Sequence, residues 1–311
     1  MTTSNNQLQA TFKSQDTEEW LDIHFTRPLG WLWARLFNHF GVHPNVVTIL
    51  SIILGAAAGV MFYYPDYVHT VAGILLLVWA NLYDSADGQL ARMSGKKTLW
   101  GRILDGFAGD VWFAFIYVAI CLRLTGEEMP WGGVWGAWIW LLAAVAGLVC
   151  HVKQAQLADY YRNIHLFFLK GKEGSELDTS VKQRANFKAT PWKGNWAWKV
   201  FLYSYGNYTL SQERMSPCFQ KFFADVKVRF GEQVPMKLRE DFRAGSRPLM
   251  KYTNILTFNT RAIVLYLSLL VMQPWFYFVF EIVVLSLVFF YMRSRHEALC
   301  RALDDKLNEY D

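Results

Sequence analysis

The chain has 311 residues, of which 53% are apolar, 17% aromatic and only 18% charged, and its net charge is +5. Soluble domains carry about 25% charged residues, so this composition indicates a membrane protein. No stretch resembles a nucleic-acid-binding module, so no nucleic-acid partner is expected. The four cysteines share no close spacing, which predicts neither disulfides nor a zinc site.

The N-terminal segment, residues 1–42, is expected to be cytosolic. It has no basic stretch followed by an apolar core, so no cleaved signal peptide is predicted. Within 16–42, tryptophan, leucine and phenylalanine alternate with arginine, which is typical of an amphipathic helix lying in the membrane interface. We expect this helix to be broken at Pro28.

Residues 43–157 contain four apolar runs, each near the length of about 20 residues that spans a bilayer. These predicted spans cover 45–64, 70–92, 101–123 and 134–157. Acidic residues lie near the end of the second span and near the start of the third span. We expect residues 43–157 to be the catalytic part of the chain.

The remaining segments differ in character. Residues 158–253 are mixed in charge and rich in aromatics, which predicts short interfacial helices on the cytosolic side rather than a separate soluble domain. Residues 254–293 hold two further predicted spans, 254–272 and 275–292, and 294–311 form a cytosolic tail. The predicted fold is therefore all-α, with six transmembrane helices and an N-terminal interfacial helix.

Basic residues indicate the orientation in the membrane. The connection between the second and third spans is basic, as are the long segment after the fourth span and the start of the tail. The alternate connections, YYPDYVH, GEEMP and MQPW, contain no lysine or arginine. By the positive-inside rule both termini and the acidic site are cytosolic, in an inner or cytoplasmic membrane, with a basic face suited to anionic lipids.

The acidic residues form the most specific pattern. Asp84 and Asp87 lie at i and i+3 near the end of the second span, and the small residues Gly88 and Ala91 fall close to the same helical stripe. A short connection makes the next helix an antiparallel neighbour, which brings Asp105 towards them. Carboxylates clustered in this way need a counter-charge, and hard oxygen ligands favour magnesium, manganese or calcium. Such ions suit a substrate that carries a diphosphate.

This spacing resembles the signature of the CDP-alcohol phosphotransferases, D-x2-D-G-x2-A-R-x8-G-x3-D-x3-D. The positions that match it are Asp84, Asp87, Gly88, Ala91, Arg92, Gly101 and Asp105. The stretch with Pro44, Asn45 and Thr48 also resembles the family's entry into its first span. The resemblance covers residues 20–125 well, whereas 158–253 is longer than the family would suggest.

The resemblance implies a membrane enzyme that makes phospholipids. The first three acids would hold Mg²⁺ or Mn²⁺, as a pair of ions, and these acids with Asn45, Gly88, Ala91, Arg92 and Gly101 would bind the CDP group. A phosphatidyl group would pass from a CDP-alcohol, with CDP-diacylglycerol favoured, to inositol, inositol phosphate or glycerol phosphate, releasing CMP. An alternative is a CDP-choline or CDP-ethanolamine enzyme with a lipid acceptor. The resemblance also allows a homodimer, which no sequence feature establishes.

The fourth acid of the signature is displaced. The family's proposed general base falls on Gly109, and the acid stands one residue later, at Asp110. On a regular helix Asp110 would be turned about 140° from Asp105. A one-residue π-bulge, which Gly106 and Gly109 would tolerate, would return Asp110 to the metal and to the catalytic position. Otherwise Asp110 acts from outside the metal site, the base is another group, or the chain is inactive.

The acceptor is predicted to contact basic residues near the cytosolic ends of the later spans. Lys153, Arg162 and Arg261 could together hold a phosphate on the acceptor, as in the inositol phosphate and glycerol phosphate branches of the family. Arg261 could instead extend its side chain to the interface, and His151 is expected to be a packing residue. A cation transporter is the rival function, but it would distribute its acids through the membrane depth.

Overall fold

A computed structural model of the protein describes residues 14, 16–96, 98–231 and 233–310, without the side chains of Leu99, Arg102 and Glu173. The first thirteen residues of the predicted N-terminal segment, and Lys97 and the Arg102 side chain in the predicted basic connection, lie outside this description. The described part of the chain is helical, with no β-strand. The predicted all-α class is therefore confirmed.

The helices are numbered in chain order. They are α1 (Arg27–His39), α2 (Pro44–Met61), α3 (Tyr67–Ser94), α4 (Leu99–Leu124), α5 (Ala137–Ala144), α6 (Val152–Lys170), α7 (Ser180–Ala189), α8 (Trp196–Met215), α9 (Pro217–Phe230), α10 (Met236–Ser246), α11 (Met250–Ile255), α12 (Phe258–Leu270), α13 (Trp275–Phe280) and α14 (Ser286–Asp305). Three π-helical segments, Asp22–Thr26, Val145–His151 and Glu281–Leu285, lead into α1, α6 and α14.

Five helical stretches in the described residues are long and apolar enough to cross a membrane. They are Pro44–Met61, Tyr67–Ser94, Ile103–Leu124, Ala137–Lys170 and Trp275–Asp305. The segment 254–272, which the sequence predicts as a further span, instead contains the 13-residue helix α12, which follows a break after α11. A helix of that length is shorter than the roughly 20 residues that a crossing needs.

The helical residues divide into two compact units. The first comprises Glu18–Val149 and Arg261–Ile282, and the second comprises residues 150–260 and 283–310 with residues 16–17. In the first unit, α2 packs along both α3 and α4. A Cβ atom at Gly55 would lie 2.1 Å from the Trp112 ring, and one at Gly59 would lie 2.7 Å from Phe115. These small residues, four apart on α2, therefore let the backbones of α2 and α4 approach closely.

The second unit has a core of stacked rings, and Asp16 in this unit pairs with basic residues. Phe168 stacks on Phe242 with ring centroids 3.9 Å apart, and Tyr161 stacks on His296 at 3.7 Å. Asp16 accepts a hydrogen bond of 2.7 Å from Arg243. This bond is the main reason that the pKa of Asp16 lies below its ordinary value.

Candidate functional site

The turn between α3 and α4 sets the register of the acidic residues. Helix α3 ends at Gly95, whose φ of 68° is left-handed, a conformation that glycine adopts without strain. Thr98 then caps α4, because its hydroxyl oxygen accepts a hydrogen bond of 2.9 Å from the backbone N–H of Gly101. The short turn therefore brings the acids near the end of α3 close to the first turns of α4.

Asp84, Asp87 and Asp105 form one cluster. Each offers a carboxylate oxygen, and these oxygens lie within 4.8 Å of one another. Asp87 is buried with 4% of its surface exposed, whereas Asp84 is half-buried and Asp105 is exposed. The convergence expected from the spacing is therefore present.

The immediate surroundings of Asp87 fit a cation. The hydroxyl group of Thr48 on α2 lies against the Asp87 carboxylate, while the Oδ2 atom of Asp87 is buried without a hydrogen-bond partner. An unpaired carboxylate oxygen in an apolar helix bundle is costly, and a bound cation would satisfy it. Three carboxylates form a hard oxygen donor set, which is the kind that Mg²⁺ and Mn²⁺ prefer.

Glycines leave open space beside the cluster. A Cβ atom at Gly106 or Gly109 would meet no other group within 4 Å. At Gly88 it would lie 3.8 Å from the guanidinium of Arg92, which therefore extends back over this glycine. Ala91 is half-buried on the same helix. The small residues of the signature thus leave room for a ligand next to the carboxylates.

Asn45 and Gly101 form a tight contact at the other side of the turn. The Asn45 Oδ1 atom accepts a hydrogen bond of 3.1 Å from the Thr98 hydroxyl. A Cβ atom at position 101 would lie only 2.8 Å from that same oxygen. Gly101 is therefore required for the close packing of α4 against Asn45. Asn45 in turn helps to hold the first turn of α4, the helix that carries Asp105 one turn later.

Asp110 is not part of the carboxylate cluster. The helix from Leu99 to Leu124 is α-helical throughout, so the π-bulge expected between Gly106 and Gly109 is absent and that expectation was wrong. Neither glycine is needed to relieve a distortion, and the regular rise continues through both. Asp110 consequently lies about 140° around the helix from Asp105. Its predicted catalytic role remains a prediction.

One positive group near the cluster was not identified from the sequence as a site residue. Arg27 interacts electrostatically with Asp84 and with Arg92, and its Nη2 atom lies 3.2 Å from Glu18. Arg27 belongs to the predicted interfacial helix, where an arginine is ordinary. In the sequence, its position immediately before Pro28 is the one feature that distinguishes Arg27 from the other arginine of this helix.

The basic residues predicted for the acceptor have defined partners. In the second unit, the Lys153 Nζ atom donates a hydrogen bond of 2.6 Å to Ser211, and the Arg162 Nη2 atom donates one of 3.0 Å to Asn254. The Nε atom of Arg162 is buried without a hydrogen-bond partner. Binding of the acceptor by these residues remains a prediction.

Arg261, in the first unit, forms a buried ion pair with Glu281. Only 1% of Arg261 and none of Glu281 is exposed. Tyr277 donates a hydrogen bond of 2.7 Å to the Glu281 Oε1 atom, and the Tyr117 hydroxyl donates to Oε2. The arginine that the sequence offered as an acceptor ligand thus has an internal partner.

Comparison with known proteins adds an independent finding. The family model for CDP-alcohol phosphatidyltransferase matches residues 41–168, the part of the chain that contains all three clustered acids. The chain is 29% identical over 172 residues to a phosphatidylinositol phosphate synthase of Streptomyces avermitilis, covering 47% of this chain and 68% of that protein.

Two other relatives match a shorter part. An archaetidylinositol phosphate synthase of Pyrococcus horikoshii is 37% identical over 89 residues, covering 29% of this chain and 46% of the relative. A CDP-diacylglycerol–glycerol-3-phosphate 3-phosphatidyltransferase of Rickettsia typhi is 26% identical over 87 residues, covering 28% and 49%. The chain therefore spans about half the length of these two relatives. No solved structure matches the chain.

Proposed function

We propose that the chain, which matches the CDP-alcohol phosphatidyltransferase family model over residues 41–168, transfers a phosphate-linked group from a CDP-alcohol to a second alcohol. The second alcohol's oxygen attacks the phosphorus atom that carries the lipid alcohol, the bond from that phosphorus to CMP breaks, and CMP leaves. The observation that carries the proposal is the cluster of Asp84, Asp87 and Asp105, with oxygens within 4.8 Å beside open glycine positions.

Asp84, Asp87 and Asp105 are the proposed ligands of two divalent cations, Mg²⁺ or Mn²⁺. Such ions neutralise the diphosphate and stabilise the charge that develops on the leaving group. The protein itself contributes the orientation of the carboxylates. Thr98 and Asn45 hold the first turn of α4, and Thr48 contacts Asp87, so the three side chains are positioned before substrate binds.

The CDP group is proposed to lie over the small residues of α3 and the start of α4. Gly88 and Ala91 let it approach the backbone, and the Arg92 guanidinium over Gly88 provides a positive charge for a phosphate oxygen. Gly101 and Asn45 form the opposite edge.

Asp110 is proposed as the general base that takes the proton from the acceptor hydroxyl. Since it stands apart from the three metal ligands, it would act on the acceptor without binding the metal. The open position at Gly109, next to it on the helix, gives an acceptor room between Asp105 and Asp110. The carboxylate would then hold the proton while the new phosphodiester bond forms.

The proposed donor is CDP-diacylglycerol, and the proposed acceptor is inositol phosphate or glycerol phosphate. The printed names of the relatives, which include phosphatidylinositol phosphate synthase and glycerol-3-phosphate 3-phosphatidyltransferase, support this choice. Within the chain, the buried and unpartnered Nε of Arg162 supports a role in holding the acceptor's phosphate. Lys153 and Arg261 are proposed with it, although their present hydrogen bonds would have to rearrange.

A sixth crossing at 254–272 is also proposed, with its helix interrupted between α11 and α12. Arg261 within it is neutralised by Glu281, and a paired arginine is tolerated inside a membrane far better than a lone one. An even number of crossings puts both termini on the same side, and the distribution of basic residues supports the cytosolic side for the termini and the carboxylates.

The helix α1 is proposed to lie in the cytosolic membrane interface. Leu32 and Leu36 are exposed on it and Phe40 is exposed directly after it, and the Arg35 guanidinium lies 4.8 Å from the Trp31 ring. An apolar exposed stripe flanked by basic residues is typical of such helices. The helices within 158–253 are proposed to lie at the same interface, and the tail after 293 in the cytosol.

The test uses the full chain in lipid nanodiscs with Mg²⁺ and labelled CDP-diacylglycerol. Inositol, inositol phosphate, glycerol phosphate and buffer alone are supplied in separate reactions, and CMP and the lipid product are measured. The proposal predicts CMP release that requires Mg²⁺ and a phosphorylated polyol. Parallel reactions supply CDP-choline or CDP-ethanolamine with diacylglycerol, and CMP release only in these would contradict CDP-diacylglycerol as the donor. No release under any condition would contradict the proposal.

A further inference from the structure

Arg27 lies on the face of the N-terminal helix that docks onto the acidic end of α3. Its backbone carbonyl accepts a hydrogen bond of 3.2 Å from the Gln89 side chain, two residues after Asp87. The same Gln89 nitrogen lies 3.2 Å from the Ser85 hydroxyl, next to Asp84. The backbone at Arg27 is therefore fixed relative to the helix that carries two of the three clustered acids.

A second contact fixes the same face one turn later. A Cβ atom at Gly30 would lie 2.8 Å from the Ser85 hydroxyl oxygen, so α1 and α3 approach as closely as a glycine allows. Gly30 and Arg27 are three residues apart and share a side of the helix. The docked helix thus presents the Arg27 side chain towards the turn of α3 that contains Asp84.

The charges around Arg27 are arranged for an anion. Arg27 attracts Asp84 and repels Arg92, whose guanidinium lies over Gly88, and Glu18 attracts both arginines. Two like charges held close together are unfavourable unless an anion lies between them or beside both. Once cations neutralise the carboxylates, the two arginines would be the groups that attract the negative oxygens of a diphosphate.

Glu18 holds Arg27 without using all of its donors. The contact to Glu18 is made by Nη2 at 3.2 Å, and 20% of the Arg27 side chain is exposed. A guanidinium has five N–H donors in a planar fork, so one edge can stay on Glu18 while another binds a phosphate oxygen.

We propose that Arg27 is a ligand of the substrate diphosphate, acting with Arg92, and that Glu18 is its positioning residue. This assignment rests on the proposed function, because it presumes a CDP group at the carboxylate cluster. It adds to the site a residue outside the signature, carried by the helix that precedes the family's matching region. The N-terminal helix then does more than anchor the chain in the interface, since it completes the nucleotide site.

The test measures binding rather than turnover. Labelled CDP and labelled cytidine are equilibrated with the purified full chain in Mg²⁺ by equilibrium dialysis, with no acceptor alcohol. Arg27→Met should weaken CDP binding about tenfold or more, since it removes a charge-assisted hydrogen bond, and should leave cytidine binding unchanged. Arg35→Met is the matched control, because Arg35 lies on the same helix over the Trp31 ring, and it should leave both affinities unchanged.

Two further variants make the assignment falsifiable if Arg27→Met does not fold. Arg27→Lys keeps the charge but loses the planar fork and should weaken CDP binding by a smaller factor. Glu18→Ala should also weaken CDP binding, less than Arg27→Met, because it releases the guanidinium. Wild-type affinity for CDP in Arg27→Met, or in both Arg27→Lys and Glu18→Ala, would overturn the assigned role of Arg27. It would not contradict the proposed function. A wild-type protein that binds no CDP would instead contradict the proposed function.

Discussion

Two groups of acidic side chains lie within the apolar helices of the first unit, and their charges are balanced in different ways. Glu281 is fully buried and has an arginine and two tyrosine hydroxyls as partners. Asp84, Asp87 and Asp105 approach one another within 4.8 Å, and Asp87 keeps a buried oxygen without a hydrogen-bond partner. The first arrangement is complete within the protein, whereas the second has the composition and the unpaired oxygen of a site that could hold a cation.

The difference separates a structural acid from a functional one. The Glu281 carboxylate has a hydrogen-bond partner at each of its two oxygens, so it has no oxygen left for a cation, and removing one partner of a buried pair mainly destabilises the fold. Three clustered acids repel one another, and a cation bound among them would remove this repulsion. Changes at the two places should therefore affect different measurements, activity in one case and stability in the other.

The largest expected effect is on activity at the carboxylate cluster. Asp84→Asn should lower the rate of CMP release about 10³-fold, since a catalytic metal supplies several kcal/mol and each 1.4 kcal/mol is tenfold. The thermal stability of the metal-free protein should not fall, because the change removes repulsion among the acids. Release of CMP by Asp84→Asn at the wild-type rate would show that this carboxylate is not a metal ligand.

Breaking the Glu281 pair should give the opposite pattern. Glu281→Ala should lower the free energy of unfolding by about 3–5 kcal/mol, because it leaves Arg261 buried without its carboxylate. The Mg²⁺ concentration for half-maximal activity of the remaining folded protein should not change. The double variant Glu281→Ala with Arg261→Met is the control and should recover much of the lost stability. A double variant as unstable as the single one would mean that the charge pair is not the cause.

A smaller effect on the rate is expected for the displaced fourth acid. Asp110→Asn should lower CMP release about 10²-fold with unchanged Mg²⁺ dependence, because a general base contributes to proton transfer and not to metal binding. Adding Gly109→Asp to this variant should restore part of the activity, since the site beside Gly109 is open and position 109 faces nearer to Asp105. Full activity of Asp110→Asn alone would assign the base to another group.

Of these two arrangements of acids, only the carboxylate cluster could be predicted from the sequence. The three-carboxylate cluster followed from spacing, because residues three apart share a helix face and a short turn brings the next helix alongside. The family assignment rested on the same residues. Spacing along a helix and the length of a turn are local features, so a single sequence is enough to predict them.

Features that depend on long-range partners were harder to predict. An arginine within a predicted span suggests a ligand for the acceptor's phosphate, but the sequence does not reveal its ion pair, because Glu281 lies 20 residues away in the next predicted span. The predicted π-bulge in α4 was wrong, while π segments occur at Asp22–Thr26, Val145–His151 and Glu281–Leu285. Tertiary packing determines where a helix becomes π-helical, so the spacing of glycines does not predict these segments.

Asp16, an acid outside the membrane-spanning helices, should give the smallest effect. It pairs with Arg243, Arg247 and His165 in the second unit. Its pKa is lowered mainly by the hydrogen bond from Arg243. The stabilisation is therefore complete above the ordinary carboxyl pKa of about 3.9 and is lost as the pH falls through the lower folded-state value.

This dependence can be measured by thermal unfolding from pH 6 to pH 3. The wild type should lose more stability towards acid than Asp16→Asn, which cannot titrate, and the two should differ by about 2 °C at neutral pH. Parallel curves for the two proteins would show that Asp16 contributes no titratable stabilisation.

Mn²⁺ binding, followed by electron paramagnetic resonance, tests directly whether the three clustered carboxylates form a divalent-cation site. The wild type should bind Mn²⁺ without any substrate, and Asp87→Asn should weaken that binding by about 10- to 100-fold. Glu281→Gln, which alters an equally buried acid of the first unit, should bind Mn²⁺ as the wild type does. Equal Mn²⁺ affinity in the wild type and Asp87→Asn would contradict the account.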